Sequence, residues 1–356
     1  MRIAKPVSRR AVSKWAASGR ASFTRSLIAL GLCGALLAGC GPKTQDPNAR
    51  VTPIPPRVPT PPPVKSVPLD PALADAARQQ ISKSLASADP TLIPRVHALE
   101  AVKDLGETEH APEVLSALTA SEPIVRFAGA MTAGGLKLEA AHQPLLSMAD
   151  DPDTNVRVAV RYALHRLGDT HLSHDLEKYA RDPRKEVRGN TAWVLGLLNE
   201  PSAIRVLRVL QRDPEPTVRQ QAYEALWRLG DEAGLHALIG MTVSRYPDDE
   251  MFALLALAGP RDDRVGHTLE TGLTVDYIEV NLEAARALGM LGNDEGYRPA
   301  LKGAASSDPR QRFMAALAFG AIGRPDAQDV LRKLLYDDYE SVRIAAAQAI
   351  LELKAQ

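Results

Sequence analysis

Aromatic side chains are scarce in this chain, 4% of 356 residues, although 45% of the residues are hydrophobic. A core built from alanine and leucine suits helices packed through small residues and argues against a β-sandwich. Cysteine is almost missing. Cys33 and Cys40 are the only two, so no disulfide or cysteine-based metal centre can hold together anything beyond residue 40. An excess of charge is missing too, with 43 basic against 43 acidic residues. Seven of the basic ones fall within the first 39 residues, which carry no acid; without them the acids outnumber the bases by seven. A mildly acidic body is a poor polyanion binder, because nucleic-acid affinity rests on Lys and Arg displacing counterions. No nucleic-acid partner is therefore expected. There is no glycine loop of the kind that cradles phosphate and no nucleophile motif. The apolar run from Leu27 to Leu37 is too short to cross a bilayer comfortably.

What is present is a beat of 31 residues. In the unit from Asp182 to Arg212, Val187-Arg188 opens one apolar-periodic run and Asn199-Glu200-Pro201 separates it from a second. The Arg188 position recurs as Arg95, Arg126, Arg157, Arg219, Arg312 and Arg343. Seven residues after the Val position lie Ala101, Ala163, Val194, Ala225, Ala287, Ala318 and Ala349; one further on lie Leu164, Leu195, Leu226, Leu257 and Leu288. A fixed period held nine times without an insertion predicts an all-α solenoid of about nine stacked helical hairpins. Asp151-Pro152, Asp182-Pro183, Asp213-Pro214 and Asp308-Pro309 signal starts, Asp as a cap and Pro in the first turn. Gly106, Gly168, Gly230, Gly292 and Gly323 signal stops.

The N-terminus reads as an address. A basic region precedes the apolar run, which ends in Leu37-Ala38-Gly39-Cys40. This resembles bacterial lipoprotein signal peptides. The resemblance implies that residues 1–39 are removed, that Cys40 is lipidated, and that Gly41 directs the protein to the outer membrane, facing the periplasm. An uncleaved anchor is the competing reading; Ser8 to Lys14, around Arg9-Arg10, resembles a twin-arginine export motif but is set against ordinary basic residues. From Pro42 to Pro71 there are eleven prolines, so residues 40–70 read as an extended or disordered tether. Residues 71–356 form the repeat body.

That body resembles HEAT repeats, in particular the short form of phycobilisome-lyase-like proteins, on the strength of the Asp-Pro turn, Val-Arg, the Ala and Leu spacing and the Gly stop. The resemblance implies that the Val-Arg helix lines the concave surface. It also implies a structural ladder of Arg126, Arg157, Arg188 and Arg219 with Asp151, Asp182 and Asp213. The sixth repeat has Asp249-Glu250 for Val-Arg and Gly259-Pro260 inside the run, so an interrupted ladder and a looser superhelix are expected there.

On each Val-Arg helix, positions 5 and 9 after Val are mostly Ala and Gly, small enough for close stacking. The stripe at 2, 3, 6 and 10 after Val should face the groove. It contains one apolar group of Phe127, Met131, Val158, Tyr162, Trp193 and Leu197. A second comprises Met251, Phe252, Leu255, Met290, Phe313, Met314 and Leu317, with Gln220, Gln221, Glu224 and Arg228 between the two. An open stripe of this kind would take an amphipathic helix or extended peptide of a partner; tight curvature would instead bury it against itself.

No metal or cofactor is expected. His165, Asp169, His171, His174 and Asp175 cluster in sequence, but around an inter-helix turn, and His97 and His267 read as ordinary core or surface histidines. HEAT-fold deoxyhypusine hydroxylases hold iron with His-Glu pairs, and this chain contains no His-Glu dipeptide. The sequence thus points to a lipid-anchored, non-enzymatic scaffold that binds another protein through the concave face. The alternative is a lyase-like HEAT enzyme acting on a tetrapyrrole or peptide in that groove.

Overall fold

The structure, a computed structural model, describes residues 68–354. The signal peptide read over 1–39, Cys40 and nearly all of the tether read over 40–70 lie outside the described residues. Among the described residues there is no strand, and no helix is long and apolar enough to cross a membrane.

The helices alternate between two sets. The outer set is α1 (Pro71–Leu85), α3 (Ala111–Ala117), α5 (His142–Ser147), α7 (Leu176–Tyr179), α9 (Ile204–Leu210), α11 (Glu232–Met241), α13 (Gly266–Thr271), α15 (Tyr297–Ala304) and α17 (Gln328–Leu334). The inner set is α2 (Ile93–Leu105), α4 (Pro123–Gly135), α6 (Thr154–Arg166), α8 (Lys185–Leu198), α10 (Pro216–Arg228), α12 (Pro247–Ala258), α14 (Ile278–Met290), α16 (Pro309–Ile322) and α18 (Glu340–Lys354). The inner helices are the Val-Arg runs of the sequence.

The 31-residue beat is written into the backbone. Left-handed residues stand at Gly106, Lys137, Gly168, Asn199, Gly230, Arg261, Gly292 and Gly323, each one period from the next. Each ends an inner helix or lies just beyond its end and turns the chain towards the outer partner. Glycine enters this region freely; other residues pay for their Cβ. Asn199 belongs to the tolerant types, whereas Lys137 (φ 51°) and Arg261 (φ 58°) do not.

The Asp-Pro turns work differently from the caps the sequence suggested at 151, 182 and 213. Asp151, Asp182 and Asp213 lie two residues before the helix cap. Each carboxylate accepts the backbone N–H two residues on, from Asp153, Arg184 and Glu215. The cap of α6 is Asp153, which accepts from Asn155 and Val156. Only at Asp308-Pro309 do Asp cap and Pro first turn coincide as read. The turns are fastened by the arginine at the Val-Arg position. Arg126, Arg157, Arg188, Arg219, Arg312 and Arg343 each donate through Nη1 to the two carbonyls six and five residues earlier. These carbonyls belong to the turn before the inner helix, so the arginine supplies donors that a tight turn leaves short.

Rungs between repeats form at some of the ladder positions. Arg126 forks onto Asp151 at 2.8 and 2.9 Å, and Arg188 onto Asp213 at 2.6 and 2.8 Å. A third fork, Arg312 onto Asp337, was not among the ladder residues read from the sequence. Arg157 does not fork onto Asp182, which corrects that rung. Arg184, in the same turn as Asp182, takes both of its oxygens, and Arg157 turns to the Thr154 hydroxyl. Beyond Arg219 the partner position is Ser244, which donates to Asp249; Gln220 donates to the same carboxylate.

The array closes on itself. Among the described residues α1 stands where an outer partner of α18 would, packing against both α18 and α2. The first helix of the described residues therefore completes their last hairpin. Leu73, Ala77, Ile81 and Leu85 of α1 are buried; each large apolar side chain removed from water in this way contributes about 1.5–3 kcal/mol. The junction carries polar fasteners as well. Asp70 pairs with Arg332 at 2.8 Å, Gln328 accepts from the Asp70 N–H and donates to the Pro68 carbonyl, and Ser84 donates to Glu340 at 2.7 Å. The inner helices consequently form a closed cycle, with α18 against α2 as α2 is against α4.

Candidate functional site at the ring axis

Closure decides the fate of the stripe at positions 2, 3, 6 and 10. It lines the inside of the ring, but it is not an open apolar groove. Phe127 and Met131 are 3% exposed, Tyr162 6% and Trp193 7%. Val158, Met251, Phe252 and Phe313 are buried as well, while Leu197, Leu255 and Arg228 keep partial exposure. The docking surface expected from the sequence is thereby corrected. Nine inner helices share one axis, so their inward side chains meet one another instead of a partner. His97 of α2 packs against Phe313 of α16, with ring centroids 5.5 Å apart, although α18 stands between these helices in the cycle. Of the polar divider, Glu224 is buried and holds Arg228 one turn on, at 2.8 and 3.0 Å.

One part of the interior is polar and open. A cavity of about 1060 Å³ is lined by Asp104 of α2, Arg261 and Asp263 of the α12–α13 turn, Arg286 and Met290 of α14, Leu317 and Ile322 of α16, and Gln348 and Glu352 of α18. Gly289, Gly292 and Gly320 complete its wall. A Cβ at Gly320 would meet Oε2 of Glu352, whose side chain would have to swing aside, and would press on Ala349. Glu100, one turn before Asp104 on the same face of α2, is buried with its Oε2 lacking a hydrogen-bond partner. It senses the charges of Lys103, Asp104 and Arg286. The charge of Arg286 acts on Glu100 although α2 and α14 are not neighbours in the cycle.

Burial sets the protonation here. Loss of hydration pushes the Glu100 carboxyl up to about 8, against the counter-pull of Lys103 and Arg286. Glu352 is pushed up to about 7, chiefly by burial, while the amide of Gln348 donates to it at 2.8 Å. His97, buried with both ring nitrogens unpartnered, is pushed down to about 3 by the same loss of hydration. The stripe positions of Glu100, Gln348, Asp104 and Glu352 are visible in the sequence as repeat positions 6 and 10. The signal that they converge, which is ring closure, is not.

The histidine cluster is parted by the fold. Asp169 faces His142 at 3.3 Å, His165 faces Glu200 at 3.6 Å, and Asp175 accepts from Arg161 at 2.7 Å. Among the described residues no group of three or more His, Cys, Asp or Glu is placed to hold a metal ion. His97 lies in the core and His267 on the surface.

Comparison with known proteins bears on the repeat alone. A family model described as HEAT repeats matches residues 79–165, 174–258 and 268–351. No curated protein matches the chain. Among solved structures, the complex of CpcE and CpcF of phycocyanin lyase from Nostoc is similar at 18% identity and a TM-score of 0.44, covering 63% of this chain and 91% of that one. Human deoxyhypusine hydroxylase in complex with glycerol is similar at 17% identity and a TM-score of 0.36, covering 80% and 98%. YibA of Escherichia coli is similar at 17% identity and a TM-score of 0.34, covering 82% and 99%.

Proposed function

Because the chain belongs to the HEAT-repeat family, we propose that it is a non-enzymatic protein-binding scaffold, held at the bacterial cell envelope by lipid on Cys40 and facing the periplasm. Its partner docks on the rim where the inner helices begin, not in the concave stripe. The observation that carries this reading is the register of the exposed apolar residues. Val243 and Tyr336 are 82% and 74% exposed, and Tyr246 and Tyr339 are both 53% exposed. Val243 and Tyr336 occupy the same place in the repeat three periods apart, and so do Tyr246 and Tyr339. Val243 and Tyr246 stand in the turn that leads into α12, and Tyr336 and Tyr339 in the turn that leads into α18. Exposed tyrosines on rigid turns carry large contact area at small entropic cost and are enriched where proteins bind one another. Arg245 stacks on Tyr246, with its guanidinium 4.9 Å from the ring centroid, and Arg312 lies 5.8 Å from that of Tyr339. Tyr246 therefore has a cation against its ring, which suits a partner carrying acidic residues around an apolar one, while Arg312 beside Tyr339 stays forked onto Asp337.

The test places a photo-crosslinking residue at position 246 or 339 of the full chain in intact cells, with position 302 on the outer helix α15 as control. A discrete product from 246 and 339 that is absent from 302, and that the Val243→Asp, Tyr336→Asp double variant abolishes, is the expected result. Equal labelling from all three positions contradicts rim docking. Cys40→Ser should move the protein from the membrane to the soluble fraction; continued membrane association contradicts the lipid anchor.

A further inference from the structure

We propose that α1 is exchanged between two copies of this chain, each copy placing its α1 in the seat on α18 and α2 that the other's own α1 fills in the closed ring. This interaction is separate from the rim and stands whether or not the scaffold reading does.

Three observations converge. The first is the distance along the chain between latch and seat. Ser84 and Glu340 are 256 residues apart in sequence, and Asp70 and Arg332 are 262 apart. Contacts of this range do not depend on both sides belonging to one molecule. The second is a missing fastener. Arg126, Arg157, Arg188, Arg219, Arg312 and Arg343 each clamp the turn before their helix. Arg95 stands at the same repeat position in α2, but among the described residues it donates to no turn carbonyl and acts on Glu122 only through its charge. The Asp89 carbonyl, which such a clamp would engage, accepts from the Leu92 N–H at 3.0 Å instead. The remaining side-chain bonds of the turn join residues two apart: Ser87 with Asp89, Asp89 with Thr91, and Thr91 with Ile93. The third is strain in the same turn. Leu92, which leads into α2, is left-handed at φ 62° and ψ −3°. Every inner helix from α4 to α16 is entered through a residue in extended backbone. A leucine pays for its Cβ in the left-handed region. A short hinge under strain favours exchange, because straightening it releases the strain while the seat keeps its contacts.

The seat itself selects a second copy. It takes a helix with an apolar stripe matching Leu73, Ala77, Ile81 and Leu85, all buried in it. At one end Asp70 meets Arg332 and Gln328, and in the last turn the Ser84 hydroxyl meets Glu340. The α1 of another copy carries all of these groups in the same register. Closed and exchanged forms therefore make the same contacts and differ in the hinge and in the entropy of association. The ring closes on its own α1 when the protein is dilute, and exchange gains as it is concentrated.

The experiment mixes two full-length variants, one carrying Ser84→Cys and the other Glu340→Cys, at rising total concentration. After incubation a short bifunctional thiol reagent is added and linked peptides are identified by mass spectrometry. The two cysteines are on different copies, so every link between positions 84 and 340 joins two molecules. Each variant loses the same hydrogen bond in the closed and the exchanged form, which leaves the balance between them unmoved. Ser84→Cys mixed with Lys302→Cys, on the exposed side of α15, measures chance collision. The expected result is an 84–340 link that grows with concentration and incubation time and exceeds the 84–302 link. Light scattering should show a species of twice the monomer mass over the same range. Leu92→Gly in both copies removes the strain without touching the seat. It should raise the concentration needed for exchange by about tenfold or more, the scale of one left-handed leucine relieved. An 84–340 link no more abundant than the 84–302 link at every concentration, or exchange unchanged by Leu92→Gly, would overturn the proposal.

Discussion

A buried carboxyl with no partner sets a pH dependence that can be worked out from its sign. Glu100 holds its proton to about 8 and Glu352 to about 7, against 4.5 for an unperturbed side chain. The folded chain keeps protons that the unfolded chain releases, so both groups lower stability progressively as pH rises from about 4.5 through about 8. His97 acts in the opposite direction. Its folded value near 3 lies below the usual 6.5, so the unfolded chain takes up that proton first and stability falls as pH drops below 6.5. Glu100→Gln removes the first effect while keeping the shape. Thermal unfolding of that variant should match the unsubstituted protein at pH 5 and lie at a higher temperature at pH 8; a lower unfolding temperature at pH 8 contradicts the account. The two charge types sit at repeat positions that are plain in the sequence, Glu100 at position 6 and His97 at position 3. Their environment was not legible there, because periodicity gives the face of a helix and not what that face meets.

Contact between neighbouring inner helices is graded by the residue nine positions after Val. Gly134, Gly196, Gly289 and Gly320 stand there in α4, α8, α14 and α16, and those helices make the most intimate junctions with their successors. A Cβ on Gly196 would come within 2.7 Å of both Cα and Cβ of Ala225, so the two backbones touch through the missing side chain. In α10 the same position is Trp227, which is buried and donates its indole N–H to the Leu257 carbonyl at 3.1 Å. α10 and α12 accordingly have the sparest junction of the ring, in the repeat where Asp249-Glu250 replaces Val-Arg. Small residues at position 9 were legible as close-packing sites, and so was the irregularity of the sixth repeat. The wedge was not, since a tryptophan in a periodic apolar run reads as ordinary core. Gly196→Ala should destabilise by ~1–3 kcal/mol through overpacking, and Trp227→Ala by ~3–5 kcal/mol through the void and the abandoned carbonyl. Denaturant melts measure both; a neutral Gly196→Ala would mean that α8 and α10 are not in backbone contact.

At the scale of the whole described body, the period, the hairpins and the glycine stops follow from residue spacing, and the open groove does not. An array of helical hairpins has an intrinsic curvature that a repeat sequence does not print. Here the curvature brings α1 to α18, and with that the stripe from Phe127 to Trp193 becomes interior. The ladder was readable in the same partial way. Arg126 and Arg188 find their partners, but Arg184 was free to claim Asp182 because a short-range ion pair within one turn competes with a longer reach between repeats. Closure also fixes the start of α1, since Pro68 and Asp70 just before it are held by Gln328 and Arg332 of α17.

The closure is therefore what should be measured first. In the full chain carrying Ser84→Cys and Glu340→Cys, whose native side chains share a hydrogen bond of 2.7 Å, a short bifunctional thiol reagent should join α1 to α18 within one molecule. Mass spectrometry should recover the peptide around residue 84 linked to the peptide around residue 340 at protein dilutions where no dimer forms. Two thiols that each react only with separate reagent molecules, leaving the peptides unlinked, would mean an open solenoid, and the interior described above would not exist.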